Sequence, residues 1–256
     1  MRIATFNVNG VNGRLPRLRE WLAETSPDAV CLQEIKTDDT RFPAKPLAEI
    51  GYEAVWHGQR AFHGVAILGK GETPRESRRG LPGDASDVQA RFVEAQVKGV
   101  TLACVYLPNG NPVPSPNFDY KLRWFERFNR HAKRLYALPG PAVIAGDLNV
   151  VPTDFDIYNA GWWRFDAVMQ PQTREAYGEL LAQGWTDAIR SLHADDRMYS
   201  YWVNEVAFRK NRGFRLDFLL LNAAAKRTLR ASGVDAEYRG REKPSDHAPV
   251  WVELAL

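Results

Sequence analysis

Nine short apolar runs, each carrying β-branched or aromatic residues, most constrain what this chain can fold into: RIATFNV, AVCLQEI, EAVWH, GVAILG, RFVEAQV, TLACVYL, AVIAG, FRLDFLLL and PVWVEL. Runs of this length and composition read as buried strands. Several follow one another without an intervening helical stretch, at 52–69 and 91–107, which favours antiparallel pairing over repeated βαβ units. Helical periodicity appears between the others. Leu15, Leu18, Trp21 and Leu22 form one apolar stripe, Leu122, Phe125 and Phe128 a second, and Leu180 with Leu181 a third. The pattern predicts an α/β fold in which two packed, mostly antiparallel β-sheets are flanked by helices.

With 256 residues, 45% of them hydrophobic, the chain can bury a large core, and a single domain over 1–256 is expected. The proline-rich stretch LPNGNPVPSPNF (107–118) is too short to join domains and reads as a loop. No apolar run approaches the roughly 18 residues that a membrane span needs, and the N-terminal MRIATFNVNG turns polar too early for a secretory signal. A soluble, cytoplasmic monomer with no membrane association is therefore expected. Cys31 and Cys104 each sit inside an apolar run and are expected to pack as buried thiols.

Charge is less informative. The 34 basic and 31 acidic residues nearly cancel, and a pI near 8.8 does not by itself require a polyanionic partner. Basic residues do concentrate at Arg209, Lys210, Arg212 and Arg215, and again at Arg239, Arg241 and Lys243, although each group alone reads as a solvated loop.

The chemistry shows where apolar runs contain or end in acids and amides. Glu34 follows AVCLQ, Asp147 and Asn149 close AVIAGDLN, Asp217 lies within FRLDFLLL, Asp246 and His247 precede PVWV, and Asn7 ends RIATFN. A carboxylate at the tip of a buried strand costs several kcal/mol unless it is paired, hydrogen-bonded or metal-bound. Any one of these acids could be an ordinary salt bridge or cap; together they suggest convergence on one oxygen-rich site of the kind Mg²⁺ or Mn²⁺ prefers. Zinc spacing such as C-x₂-C or H-E-x-x-H is absent, as is a G-x-S-x-G elbow. Asp217 is a candidate to orient His247. The set points to metal-assisted attack of water on a phosphorus rather than to acyl transfer.

The motifs TFNVNG (5–10), LQEIK (32–36), YLPNG (106–110), GDLNVVPTDFDIYN (146–159), NRGFRLDFLL (211–220) and SDHAPV (245–250) stand in one order along nearly the whole chain. In that order they resemble the endonuclease/exonuclease/phosphatase superfamily, and within it the exonuclease III family of apurinic/apyrimidinic endonucleases. The resemblance implies a four-layer α/β sandwich and a DNA repair nuclease that hydrolyses the phosphodiester 5′ to an abasic site and trims 3′ ends. Double-stranded DNA with abasic sites or blocked 3′ ends is the implied partner.

It also implies roles. Glu34 resembles the principal metal ligand, with Asn7 and Asp246 in the same shell. Asp147 resembles the water-orienting carboxylate and Asn149 the phosphate-contacting amide, while Tyr106 resembles a tyrosine near the scissile phosphate. His247, oriented by Asp217, resembles the phosphate-contacting histidine. Asn109 and Lys121 are placed near the substrate, and Tyr201, Trp202, Phe214 and Leu216 are candidates to line a pocket for a base-less sugar. The basic loops Arg209, Lys210, Arg212, Arg239, Arg241 and Lys243 then become candidate phosphate grips. The sequence departs from the family's pattern at Pro112, where a longer polar side chain is expected, and in a shortened interval from Trp202 to Asp217. A superfamily phosphatase or phosphodiesterase acting on lipid or inositol phosphates, and a catalytically silent DNA-binding module, remain the alternatives.

Overall fold

The structure, a computed structural model, describes all 256 residues. Its strands are β1 (Arg2–Asn7), β2 (Ala29–Gln33), β3 (Tyr52–His57), β4 (Val65–Lys70), β5 (Arg75–Arg79) and β6 (Phe92–Val97), then β7 (Val100–Tyr106), β8 (Ala142–Asp147), β9 (Thr186–Asp187), β10 (Asp217–Leu221), β11 (Leu229–Val234) and β12 (Val250–Leu254). They form two six-stranded sheets, one in the order β11-β12-β1-β2-β4-β3 and the other β5-β6-β7-β8-β10-β9. Three strands lack an apolar run in the sequence. β5 is an exposed, charged edge (RESRR), β9 is two residues long, and β11 carries Gly233 beneath the ring of Trp251.

All pairings are antiparallel except β1 with β2 and β7 with β8. A parallel pair needs a crossover, and two long helices supply it: Val11–Thr25 between β1 and β2, and Pro116–Tyr136 between β7 and β8. The second helix starts where Ser115 accepts a hydrogen bond from the Phe118 N–H and Pro116 enters the first turn.

Strand alternation sorts the side chains into layers. Ile3, Cys31 and Ile67 face Val93, Leu102, Cys104, Val143 and Leu219 between the sheets. The opposite face of the first sheet packs Phe6 and Leu32 against Leu18, Trp21 and Leu22 of the first crossover helix. On the second sheet, Ile144 and Phe218 meet Phe125 and Phe128 of the second crossover helix and Tyr177 and Leu180 of the helix Pro171–Ala182. The result is the expected four-layer sandwich.

Arg215 is a correction. It does not belong to a solvated basic loop: it is buried, with Nε 2.7 Å from Asp156 and Nη1 2.6 Å from Asp187. Alternation places it opposite Phe214 and Leu216, so it serves the interior. Removing the cation strands two buried carboxylates, and Arg215→Ala should cost about 3–5 kcal/mol in urea unfolding. An unchanged midpoint would contradict this structural role.

Candidate active site

The two parallel pairs bring the carboxyl ends of β1, β2, β7 and β8 to one edge of the sandwich, where open sheets generally bind ligands. β10 begins at the same edge, because Asp217 pairs with Asp147 in register. Ser245–His247 lie just ahead of β12, which runs antiparallel to β1. Asn7, Tyr106, Asp147 and Asp217 stand on inward-facing positions of their strands, so their polar ends meet between the sheets.

Three hydrogen bonds join the sheets there. The His247 ring Nδ1 lies 2.8 Å from Asp217 Oδ2, the Asn7 amide nitrogen donates to Asp147 Oδ2 at 3.0 Å, and the Tyr106 hydroxyl donates to Glu34 Oε1 at 2.9 Å. Asn7 also donates to Glu34 Oε1 at 2.9 Å. Asp147 Oδ1 accepts from the Asn149 backbone N–H, and His247 Nε2 lies 3.9 Å from Asp147 Oδ2, too far for a hydrogen bond but close enough for attraction. β8 approaches β7 so closely that a Cβ on Gly146 would sit 1.9 Å from the Val105 carbonyl oxygen, so glycine is needed beside Asp147.

Backbone strain gathers at the same place. Asn9, Glu34, Lys36 and Asn149 have φ of 46°, 49°, 50° and 45°. Left-handed conformations of non-glycine residues cost on the order of 1 kcal/mol or more each and persist where surrounding contacts enforce them. At Glu34 the turn breaks strand alternation and brings the carboxylate to Asn7 and Tyr106, where Lys36 Nζ also reaches Glu34 Oε2 at 2.8 Å.

Burial and charge set the protonation states. Burial pushes the Asp147 carboxyl up; His247 pulls against it, while Asp217 and Glu34 add to the rise. Burial opposes the His247 imidazolium, but the charge and hydrogen bond of Asp217, with Asp147 and Asp246, raise its pKa on balance. Burial, then the charges of Glu34 and Asp147, raise the Tyr106 phenol well above its ordinary range, so it keeps its proton. Asp246 goes the other way: burial would raise it, but His247 and the Asn9 amide, which donates to it at 2.9 Å, hold it down.

These groups open into a cavity of about 160 Å³ whose lining includes Glu34, Tyr106, Asn109, Asp147, Asn149, Asp246 and His247. Trp163, Asp166, Val168, Tyr201, Phe214 and Leu216 complete the wall. Sequence reading missed Trp163, Asp166 and Val168. They lie in short turns with no run or motif to flag them, although an aspartate capping AVM (167–169) was a visible local signal.

Several expected site residues stand elsewhere. Trp202 does not line the cavity: the extended segment turns Tyr201 toward it, where its ring lies 4.8 Å from His247, and sends Trp202 the other way, buried beside Tyr199, Ala207 and Ala248. Lys121 is not at the cleft surface either. It is fully buried, donating from Nζ to the carbonyls of Asn109 at 2.9 Å and Asn149 at 2.6 Å. Burial lowers its pKa to about 7 against the pull of Asp166 and Asp147. Arg241 pairs with Glu20 and Glu24, and Arg239 is buried with Nη2 toward the Trp202 carbonyl, which leaves Arg209, Lys210, Arg212 and Lys243 exposed. Asn7 meets the carboxylates with its nitrogen, its oxygen accepting from the Asn9 N–H; acting as a ligand requires the amide to turn over. Pro112 is exposed, and the neighbouring Asn111 pins its loop to Asp166 and Ala167.

Buried carboxylates, a carboxylate-held imidazole and a protonated phenol at a sheet-end cleft define a phosphoester hydrolase. The model of the endonuclease/exonuclease/phosphatase family matches residues 4–247, and the chain belongs to that family. Within it the chain is of the exonuclease III type, a DNA repair nuclease. Exodeoxyribonuclease III of Haemophilus influenzae is 32% identical over 99% of this chain and 100% of its own length. An AP endonuclease from Archaeoglobus fulgidus superposes with a TM-score of 0.95 at 31% identity, covering both chains completely. The 3′-5′ exonuclease NExo of Neisseria meningitidis superposes at 0.96 with 36% identity, again over both full chains, and a structure of the Neisseria protein described as a 3′ phosphatase holds a product DNA hairpin.

Lys121 braces the two loops that carry Asn109 and Asn149. Lys121→Met keeps the apolar stem and removes both donated hydrogen bonds, so turnover should fall about 10- to 100-fold through misplacement of those amides. Wild-type turnover in a steady-state nuclease assay would contradict this.

Proposed function

We propose that this protein hydrolyses the phosphodiester on the 5′ side of an abasic site in duplex DNA, leaving a 3′-hydroxyl, and that the same site trims nucleotides or blocking groups from 3′ ends. The observation that carries the proposal is the mixed lining of one cavity, in which polar His247, Asn149 and Asp147, read here as the phosphate-binding groups, stand together with apolar Trp163, Val168, Phe214 and Leu216. Its volume is close to that of a cavity that holds one benzene-sized ring, about 150 Å³. We read this as room for one sugar rather than for a sugar with its base. The assignments of Tyr201, Phe214 and Leu216 to the sugar, and of Asn109 to the phosphate side, rest on this fit.

The donor set suits a hard divalent cation, Mg²⁺ first and Mn²⁺ second. Glu34, Asp147 and Asp246 offer oxygen to one cavity, and both cysteines are buried away from it. No group of three or more His, Cys, Asp or Glu side chains is placed to hold a metal ion by itself, so an ion here would be held by one or two of these carboxylates and by water. Glu34 would be the anchor, with Asp246 and a turned Asn7 beside it. Bound there, the ion would neutralise charge on the phosphate oxygens.

The protein's own groups do the rest. Asp217 fixes Nδ1 of His247, so Nε2–H donates to a non-bridging phosphate oxygen, and the Asn149 amide adds a second donor. Asp147, with its raised carboxyl, holds the attacking water in line and takes its proton as the new P–O bond forms. The bond to the 3′-oxygen breaks, and Tyr106 gives that oxygen its proton. Exposed Lys210, Arg212 and Lys243, and Arg209 beside its partner Glu205, supply salt-sensitive attraction to the backbone. We further propose a cytoplasmic monomer acting as one unit over 1–256; no helix is long and apolar enough to cross a membrane.

Asp147→Asn or Glu34→Ala should each lower turnover by about 100-fold or more without loss of the thermal transition. Rates within a few-fold of wild type would remove the scheme. A duplex with a single abasic analogue should be nicked 5′ to the lesion in Mg²⁺ and left intact with chelator. Cleavage of inositol phosphates or sphingomyelin in its place would assign the site to a different ester.

A further inference from the structure

The turn that walls the cavity has a second face that the hydrolytic scheme does not use. The helical turn Ala160–Trp163 is capped by Asn159, whose side chain accepts from the Trp162 N–H at 3.2 Å. Trp163 points inward and packs edge-on against Phe214 at 4.8 Å, and Asp166 points inward as well. Trp162 and Phe165, between and beside them, point outward and are 68% and 73% exposed. Leaving two large aromatic rings mostly in water forgoes the gain that burial would give, and the one ring contact there, Trp162 edge-on to Tyr158 at 5.8 Å, covers little of them.

Each ring has a guanidinium beside it. Arg212 Cζ lies 5.9 Å from the Trp162 ring and Arg164 Cζ 4.5 Å from the Phe165 ring. Neither arginine forms a salt bridge, whereas Arg209, close to Arg212 in sequence, is paired with Glu205. The rim thus offers flat apolar faces and free positive charge, directly continuous with the wall of the cavity. A flat π-surface carrying negative charge is what such a rim recognises, and a nucleobase with its phosphate has both. Within a duplex the bases are already stacked on one another, so away from a duplex end the bases free to use it are unpaired ones.

We propose that Trp162 and Phe165, with Arg212 and Arg164, form a stacking platform for unpaired bases flanking the reacting nucleotide, giving the enzyme preference for single-stranded or frayed DNA next to the cut. The inference rests on the nuclease reading. Stacking tolerates any base, so the preference is for strandedness and not for sequence.

The test compares two dye-labelled DNAs by fluorescence anisotropy in chelator: a blunt duplex with an abasic analogue, and the same duplex with a single-stranded tail continuing 3′ from the analogue. The Trp162→Ala, Phe165→Ala double variant should bind the tailed DNA about 10- to 100-fold more weakly, keep its affinity for blunt duplex within about twofold, and regain most of the tail affinity when Trp162→Phe replaces Trp162→Ala. Tail affinity unchanged in the double variant, or equal loss on both DNAs, would overturn the proposal; the first result would assign the patch to a protein partner. Cleavage is scored separately in Mg²⁺. A wild-type protein that binds the tail but never cuts would sink the hydrolytic reading and leave the platform standing.

Discussion

The hydrogen bond between Asp217 and His247 is the contact on which the rest of the site depends. It joins the start of a strand in one sheet to the segment ahead of a strand in the other, and both partners are almost entirely out of water. An unpaired carboxylate at that depth would be too costly to keep, so the pair is stable only while the two sheets hold their register. Two further bonds across the seam, Asn7 to Asp147 and Tyr106 to Glu34, are tied to the same condition. Below them the seam becomes less polar in steps: Gln33 reaches the Cys104 sulfur and accepts from Thr5, and beneath that a cluster of apolar side chains fills the space between the sheets. The active site is the polar end of the core itself.

This origin explains the electrostatics. Packing three carboxylates, an imidazole and a phenol into a desolvated seam couples their protons, which raises Asp147 and His247 together and keeps the Tyr106 phenol protonated at rest. A base poised near neutrality and two held donors are what phosphodiester hydrolysis needs at a neutral pH. The left-handed turns at Glu34 and Asn149 are the backbone's part of the same arrangement, since each redirects a side chain that regular strand alternation would have sent elsewhere.

Much of this was legible in the sequence, and the limits are physical. Strand runs and the apolar stripes of the two crossover helices follow from periodicity, and the acids at strand ends marked where the site had to be. Edge strands such as RESRR escaped because they bury nothing. Orientation in irregular segments was not legible. Tyr201 and Trp202 are neighbours of similar chemistry, and only the pairing of Tyr201 with Phe214 decides which one faces the cavity. Lys121 was placed at the substrate and Arg215 in a solvated loop because nothing local reveals that their partners are backbone carbonyls or acids far along the chain. The same holds for Trp163, Asp166 and Val168, which become a wall only when the 160–169 segment folds back against Asn111 and Phe214.

The central claim is that this seam gathers acidic and amide groups from distant strands around one divalent ion. Anomalous diffraction from crystals soaked in Mn²⁺ tests it directly. The account predicts a strong peak inside the cavity, in contact with the Glu34 carboxylate and on the same side as Asp147 and His247. A peak bound elsewhere on the protein, with the cavity empty at saturating Mn²⁺, would contradict it.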